Sequence, residues 1–372
     1  MKQTLNYVTY QTFPASTANS LQSISNIKYF IKKDINVCLY FPLREKTSSN
    51  DLKVLQEYYS FTESLEIKGL NHYLPHGRIK IFKKTMFHIS HFLWSRRTIL
   101  KYFKKNNEDT FFTRSDWIAF FAARKKYKVI FECHQKSRIR NFVIKKIGDY
   151  ENVYIIFLNK DLQENYKNVI NSIVLHNGVD VDLFEENLHQ KRNSIVYAGN
   201  LSRFGVTRGF PEFLKKYNEE KIFEEFNLEI IGGDLDQIED LKTLVKDLNI
   251  EDYVIFHGRK NRGETINIIQ MCKIGLLLNN ANNTHSYQHT SPLKYFEYIY
   301  AKLSVIAIDF PSHRSLPLNQ KISYFDLNKN RSLNEAINQS INNDELNTEE
   351  LKDITLEKFF LHYIFLKILE NP

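Results

Sequence analysis

The chain has 372 residues, 42% hydrophobic and 25% charged, which is long enough for two domains with real cores and too apolar for a disordered protein. Its three cysteines, Cys38, Cys133 and Cys272, are far apart in apolar segments. That argues against a disulfide scaffold or a thiolate metal site and for buried free thiols in a reducing compartment. The net charge of +8 is uneven: residues 1–180 hold 29 Lys and Arg against 15 Asp and Glu, net +14, whereas residues 181–372 hold 22 against 28, net −6. Two domains with different partners are expected, the basic one facing something anionic: a membrane, a phosphorylated acceptor or a nucleic acid.

In chain order, "MKQTLNYVTYQTFP" shows no signal-peptide pattern and reads as a strand over 4–10 running into a loop. A helix over 19–33 and a strand over 35–41 follow. The stretch 78–105, "RIKIFKKTMFHISHFLWSRRTILKYFKK", carries nine Lys and Arg and no acid, with Phe82, Met86, Ile89, Leu93, Leu100 and Phe103 at helical spacing. Then come a strand over 110–114, a helix over 115–127, and strands over 128–134 and 153–158. The polar stretch 178–193 is the expected hinge. Beyond it the pattern predicts strands over 194–199, 228–233, 253–258, 274–279 and 304–309, with helices over 235–248, 263–272 and 292–302. The last segment, 356–372, is apolar with helical spacing, yet short and charge-interrupted for a membrane anchor. No run approaches the ~20 apolar residues of a spanning helix. Continuous Val/Ile-rich strands between helices predict parallel sheets covered on both faces, hence an α/β protein of two doubly wound domains.

Three local features point to chemistry. Several strands of the second half end in glycine (Gly199, Gly232, Gly233, Gly258), where a ligand could approach the backbone. In "HTSPLKYFEY", residues 289–298, Ser291 suits an N-cap and Pro292 the first helical position. The N–H groups of Leu293 and Lys294 would then point out of a helix end able to hold phosphate. A capped surface helix with an i,i+3 Lys294–Glu297 pair and a Leu293–Phe296–Tyr300 core stripe explains the same residues. Third, Glu132 and His134 lie two apart on a strand and so share a face; no third ligand at suitable spacing makes a metal site of them.

"SPLKYFEYIYAKLSVIAID" closely resembles a segment of family 4 glycosyltransferases with the GT-B fold, two Rossmann-like domains facing a central cleft. In the same order, "LNYVTYQTFPASTANSLQSI", "FECH", "HNGVDVDLF", "IVYAGNLSRFGVTRG", "LEIIGGD" and "VIFHGRKNRGETINIIQMCKIGLLLN" are similar to that family's motifs, over most of the chain. The resemblance implies an N-terminal acceptor-binding domain (1–180), a C-terminal nucleotide-sugar domain (190–350) and a last helix (351–372) packing back on the first. It implies a retaining transferase, with surface polysaccharide or lipopolysaccharide assembly as the expected pathway. Glu297 would accept hydrogen bonds from the nucleotide's ribose hydroxyls; Ser291, Leu293 and Lys294 would cradle the diphosphate; Arg208 would stabilise it as it leaves. His134 would sit beside the transferred sugar, and Gly258 and Arg259 near the base. His289 stands where the family prefers a glutamate and Asn200 where it prefers an arginine, which Arg203 could replace; Gly199 precedes it. The implied donor is a nucleotide sugar, and no metal or other cofactor is expected. A non-catalytic GT-B scaffold and a sugar-nucleotide epimerase are the alternatives.

The 78–105 stretch reads as an interfacial amphipathic helix, with Lys83, Lys84, Trp94, Arg96, Arg97 and Lys101 facing an anionic membrane; a core helix with a solvated basic face is the other reading. No nucleic-acid module accompanies it. The expected protein is cytoplasmic, peripheral on the inner face of the membrane, with a lipid-linked or glycan acceptor.

Overall fold

A computed structural model describes residues 4–15, 17–72, 83–103, 110–185, 190–203, 206–282, 284–327, 332–343 and 347–357. The chain divides into two compact units, one ending at Leu175 and the other beginning at His176. The expected C-terminal helix lies mostly outside the described residues. Among them, no helix is long and apolar enough to cross a membrane.

The first unit is a parallel sheet in the order β3-β2-β1-β4-β5-β6-β7. Its strands are β1 (Thr4–Val8), β2 (Asn36–Leu43), β3 (Glu66–Asn71), β4 (Thr110–Thr113), β5 (Lys128–Cys133), β6 (Val153–Phe157) and β7 (Ser172–Val174). Helices α1 (Ala18–Lys32), α2 (Leu52–Tyr59), α3 (Lys83–Tyr102), α4 (Asp116–Arg124), α5 (Arg138–Ile147) and α6 (Lys160–Glu164) connect them. Central strands are apolar on both faces because helices cover both: β4 is buried throughout and β5 at every residue but its first. The edge strand β3 alternates exposed residues with half-buried ones and the buried Leu70, and no apolar run announces it in the sequence.

The second unit repeats the plan. Its strands are β8 (Arg192–Ala198), the β9 (Ser202–Arg203) and β10 (Val206–Thr207) hairpin, β11 (Asn227–Ile231), β12 (Val254–Gly258), β13 (Cys272–Leu277), β14 (Ser304–Ile308) and β15 (Ile322–Phe325). The main sheet runs β12-β11-β8-β13-β14-β15, all parallel. Around it lie α7 (Phe210–Glu219), α8 (Leu235–Asp247), α9 (Arg262–Gln270), α10 (Leu293–Tyr300), α11 (Pro311–Arg314), α12 (Leu333–Ile341) and α13 (Thr348–Asp353). Both units therefore place their second and third strands on one side of the first and their later strands on the other, the doubly wound arrangement expected from the sequence. The core lies on both faces of the sheet, with Ile195, Tyr197, Phe213, Leu228 and Ile274 on one and Val196, Ile266, Tyr295, Phe296 and Val305 on the other.

One glycine fixes where α10 sits. A Cβ on Gly275 in β13 would overlap the Tyr298 ring, so only glycine lets the helix pack this close to the strand. From there the Tyr298 hydroxyl accepts the Ala198 N–H at 2.9 Å and ties the helix to the end of β8.

Candidate functional site

In the second unit the strand order reverses between β8 and its neighbour β13, and ligands of open α/β sheets lie outside the carboxyl ends there. α9, α12 and α13 start with Asn261, Ser332 and Asn347, whose side chains accept backbone N–H groups. α7, α8 and α10 carry no side-chain cap. Their first-turn donors are left for something else to satisfy.

The start of α10 differs from expectation by one residue. Pro292 is the N-cap, with ψ 127°, and the helix begins at Leu293. Asn177, in the "HNGVD" segment, donates to the Ser291 carbonyl at 2.5 Å and holds the chain extended just before the helix. Ser291 therefore caps nothing. It is buried, and its hydroxyl has no hydrogen-bond partner.

Lys294 turns to the end of β8. Its ammonium nitrogen lies 3.3 Å from the centroid of the Tyr197 ring and would sit 3.5 Å from a Cβ placed on Gly199. The Tyr197 hydroxyl donates to the Asn200 carbonyl at 2.7 Å, which fixes the ring. Lys294 Nζ is buried without a hydrogen-bond partner, and so is Arg208 Nε; Arg208 reaches Asn279 Oδ1 only at 3.5 Å through Nη1. Burial above all, then the Arg208 guanidinium, holds Lys294 well below the usual lysine range, with Glu297 pulling the other way. Two buried nitrogens of basic side chains without an acceptor, Lys294 Nζ and Arg208 Nε, beside an open helix N-terminus are suited to a multivalent anion.

The carboxylate of Glu297, 3% exposed, is not paired with Lys294. It forms an ion pair with Arg262, whose side chain is 17% exposed. Burial would lower the Arg262 pKa, but Glu297, and more distantly Asp180, raise it above the usual arginine value. No local pattern in the sequence signals this partnership. The one legible element is the Asn261–Glu264 capping box, which sets Arg262 at the first residue of α9.

His289 is buried at the end of a π-helical turn, residues 285–289, which the sequence did not announce. The Ser286 carbonyl pins that turn by accepting Asn279 Nδ2 at 3.3 Å and Ser312 Oγ at 3.0 Å. Arg259, after Gly258, pairs with Asp234 at 2.5 Å across the ends of β12 and β11. The Arg203 side chain lies outside the described residues. Of the strand-end glycines, Gly232 serves backbone packing, since a Cβ there would strike the Gly199 carbonyl oxygen at 2.5 Å; Gly258 meets nothing within 4 Å and is open.

His134 belongs to the first unit, one residue past β5. As expected, Glu132 shares its face: His134 Nε2 lies 2.6 Å from Glu132 Oε1. Sequence reasoning missed Arg114, which grips the same carboxylate through Nε and Nη2, both at 2.8 Å, and reaches Asn19 through Nη1. Burial would raise the Glu132 pKa, but Arg114 and His134 hold it below the usual carboxylate range. Burial, then Arg114, pushes His134 down to about 4, so it is neutral near pH 7 with one ring nitrogen committed to Glu132.

In α3, Arg96, Arg97 and Lys101 are exposed, as expected; the side chains of Lys83 and Lys84 lie outside the described residues. Trp94 corrects the membrane-facing expectation. It is 4% exposed and packs on Tyr10 with ring centroids 5.5 Å apart. The apolar stripe of this helix is split: Ile89, Leu93 and Leu100 are 42–46% exposed and Phe103 is buried, while Ser90, Ser95 and Thr98 are buried beside Trp94 and Ile99. Small side chains on that face let the helix approach the sheet, which pushes the larger aliphatic residues outward.

Residues 180–353 match the family model described as glycosyl transferases group 1. No curated protein matches the chain. Among solved structures, sucrose-phosphate synthase from Thermosynechococcus elongatus aligns with a TM-score of 0.71 and 13% identity over 97% of both chains. The lipopolysaccharide outer core galactosyltransferase WaaB, in its apo form, aligns at 0.62 and 13%, over 97% of this chain and 99% of its own. HepE from Anabaena, in complex with UDP, aligns at 0.59 and 11%, over 92% and 90%. Identities this low speak for the fold, which is GT-B across both units. A group 1 domain spread over the second unit of a GT-B chain makes this protein a glycosyltransferase of that architecture.

Proposed function

We propose that the protein transfers a sugar, with retention of anomeric configuration, from a nucleotide-diphosphate sugar held by the second unit to an acceptor held by the first. The observation that carries this reading is the pair of buried nitrogens without a hydrogen-bond partner, Lys294 Nζ and Arg208 Nε, beside the uncapped start of α10. They suit a diphosphate, and their charge would stabilise it as it departs. With those groups in place the reaction needs no divalent metal, so a chelator leaves turnover unchanged. Glu297 suits the ribose, because one carboxylate oxygen is committed to Arg262 and the other remains to accept a hydroxyl. Two solved structures of the same fold, HepE from Anabaena and a trehalose-6-phosphate protein from E. coli, hold UDP and UDP-2-fluoro glucose, which favours a uridine nucleotide as the first donor to test.

Calorimetric titration with UDP and GDP tests the site. Binding of one is expected, weakened at least tenfold by Glu297→Ala, with anomeric configuration of the product read by NMR. Absence of binding at millimolar nucleotide by the folded protein would overturn the reading.

The acceptor is proposed to be lipid-linked or a surface glycan, with the enzyme cytoplasmic and docked on the inner face of the membrane. The exposed row Ile89, Leu93, Leu100 with Arg96, Arg97 and Lys101 supports docking. Each cation near an anionic surface contributes about 1 kcal/mol, enough together for reversible binding. Salt-reversible sedimentation with anionic vesicles is the expected result; equal recovery in the supernatant with and without vesicles would refute it.

A further inference from the structure

The residues that end the strands of the first unit build a second polar cluster, separate from Glu132 and His134. Tyr10 lies two residues past β1, Arg44 directly follows β2, and His72 directly follows β3. Tyr10 N donates to Ser115 Oγ at 3.0 Å, just past β4, so the cluster stands where this sheet's strand order reverses. The Tyr10 hydroxyl is 2.9 Å from His72 Nε2. On the Tyr10 ring, His91 stacks at 4.4 Å and 16°, and the Arg44 guanidinium carbon lies 4.7 Å from its centroid. Phe87 is 5.7 Å from the same guanidinium.

Arg44 is the anomaly. Its side chain is 13% exposed, and both Nε and Nη1 are buried without a hydrogen-bond partner. Glu45, half exposed, offers a carboxylate oxygen only at 3.6 Å from Nε. His91 Nε2, in a residue 8% exposed, is also without a partner. His91 brings no charge to offset: burial, then His88, Arg44 and Arg140, push it down to about 3. Arg140, which also faces His91, is matched by Asp116 at 2.6 Å, whereas Arg44 has the half-exposed Glu45 at 3.6 Å. A buried guanidinium with orphaned N–H groups is costly unless an anion completes it, and its fork fits two oxygens of one oxyanion.

We propose that this cluster is an oxyanion subsite: Arg44, on the Tyr10 platform, binds a phosphate or carboxylate carried by the acceptor, so the acceptor is an acidic sugar or sugar phosphate rather than a neutral glycan. This rests on the reading that the first unit takes the acceptor. It adds that discrimination among acceptors comes from charge, with the neutral His91 and the His72–Tyr10 pair as adjacent polar contacts.

The test is calorimetric titration of the full chain with glucose 6-phosphate, glucuronate and neutral glucose, on wild type, Arg44→Met, Arg44→Lys and Lys294→Met. Expected is binding of glucose 6-phosphate, glucuronate or both, with glucose at least tenfold weaker. Arg44→Met should lose at least tenfold of the anion's affinity, Arg44→Lys less, and Lys294→Met almost none. Whichever anion binds names the oxyanion, phosphate or carboxylate. UDP titrated into the same Arg44→Met sample should bind as in wild type, which also shows that the variant is folded. Equal anion affinity in wild type and Arg44→Met overturns the proposal, as does binding lost only in Lys294→Met, or no binding of either anion at about 50 mM, where even a millimolar dissociation constant would give near-saturation. Failure of UDP to bind any variant sinks the donor-site reading instead, and leaves the Arg44 comparison standing.

Discussion

Replacing Lys294 with methionine should stabilise the empty protein while weakening its hold on nucleotide. The stem of the side chain survives, so packing is kept. A buried polar group without a hydrogen bond costs about 1–3 kcal/mol, and Lys294 Nζ is such a group. The attraction of the ammonium to the Tyr197 face, at 3.3 Å, is worth about 0.5–2 kcal/mol, but a methionine sulfur on the same ring recovers about 0.3–1.5. The balance favours methionine by about 1 kcal/mol, or about 2–4 °C in the melting of a unit this size. The sign with pH follows from the depressed lysine pKa. Below both values the two states bind the same proton; between the folded value and 10.5 the unfolded chain binds more, so wild-type stability rises with pH there. The advantage of Lys294→Met is thus greatest at low pH and shrinks as pH rises through the folded value. Thermal melts with and without nucleoside diphosphate across pH 5.5–9 read both effects. A variant that melts lower than wild type at pH 6 without ligand, or one that keeps the full ligand-induced shift, would refute the reasoning.

Three further outcomes are expected. Arg262→Met leaves the Glu297 carboxylate buried and alone, which should cost about 3–5 kcal/mol, whereas Arg262→Met with Glu297→Leu recovers most of it; chemical denaturation measures both. Glu132 has a folded pKa below its ordinary value, so its contribution is present above pH 4.5 and is lost as pH falls through the lower folded value; in Glu132→Gln that acid-limb dependence, followed by urea midpoints between pH 2 and 6, should flatten. Trp94→Ala should lose about 3–5 kcal/mol and Leu93→Ala less than about 0.5, because the first is core and the second surface; similar losses would contradict the orientation of α3.

The doubly wound plan was legible because its central strands carry continuous apolar stretches, "VIF" of β5 and "IVYA" of β8 among them, and such stretches need helices on both faces. β3, "EIKGLN", escaped because an edge strand needs no such run. Of the candidate site, the sequence singled out Lys294, Glu297, Arg208 and the Glu132–His134 face. Pairing was hidden. Nothing local joins Arg262 to Glu297 or Arg114 to Glu132, since each contact depends on two elements meeting side by side in a sheet or across a helix pair. Orientation was hidden too. The spacing of Ile89, Leu93 and Leu100 defines a stripe but not which way it faces, and burial of Ser90, Ser95 and Thr98 decided it.

The second unit is closed on itself by a clasp. Val179 N–H donates to the Ile354 carbonyl and Leu356 N–H to the Val179 carbonyl, both at 3.0 Å, and a Cβ on Gly178 would collide with the Leu356 backbone. The entry and exit of this half are therefore neighbours, like the ends of a buckled belt. A fragment cut at the limits of the family match, 180–353, discards both halves of the clasp, whereas one cut at 176–357 keeps it. The same adjacency makes this half a candidate for circular permutation: a short linker from 357 to 176 would join ends that lie just outside the paired residues 178–179 and 354–356, and new termini could open at an exposed loop far from α10.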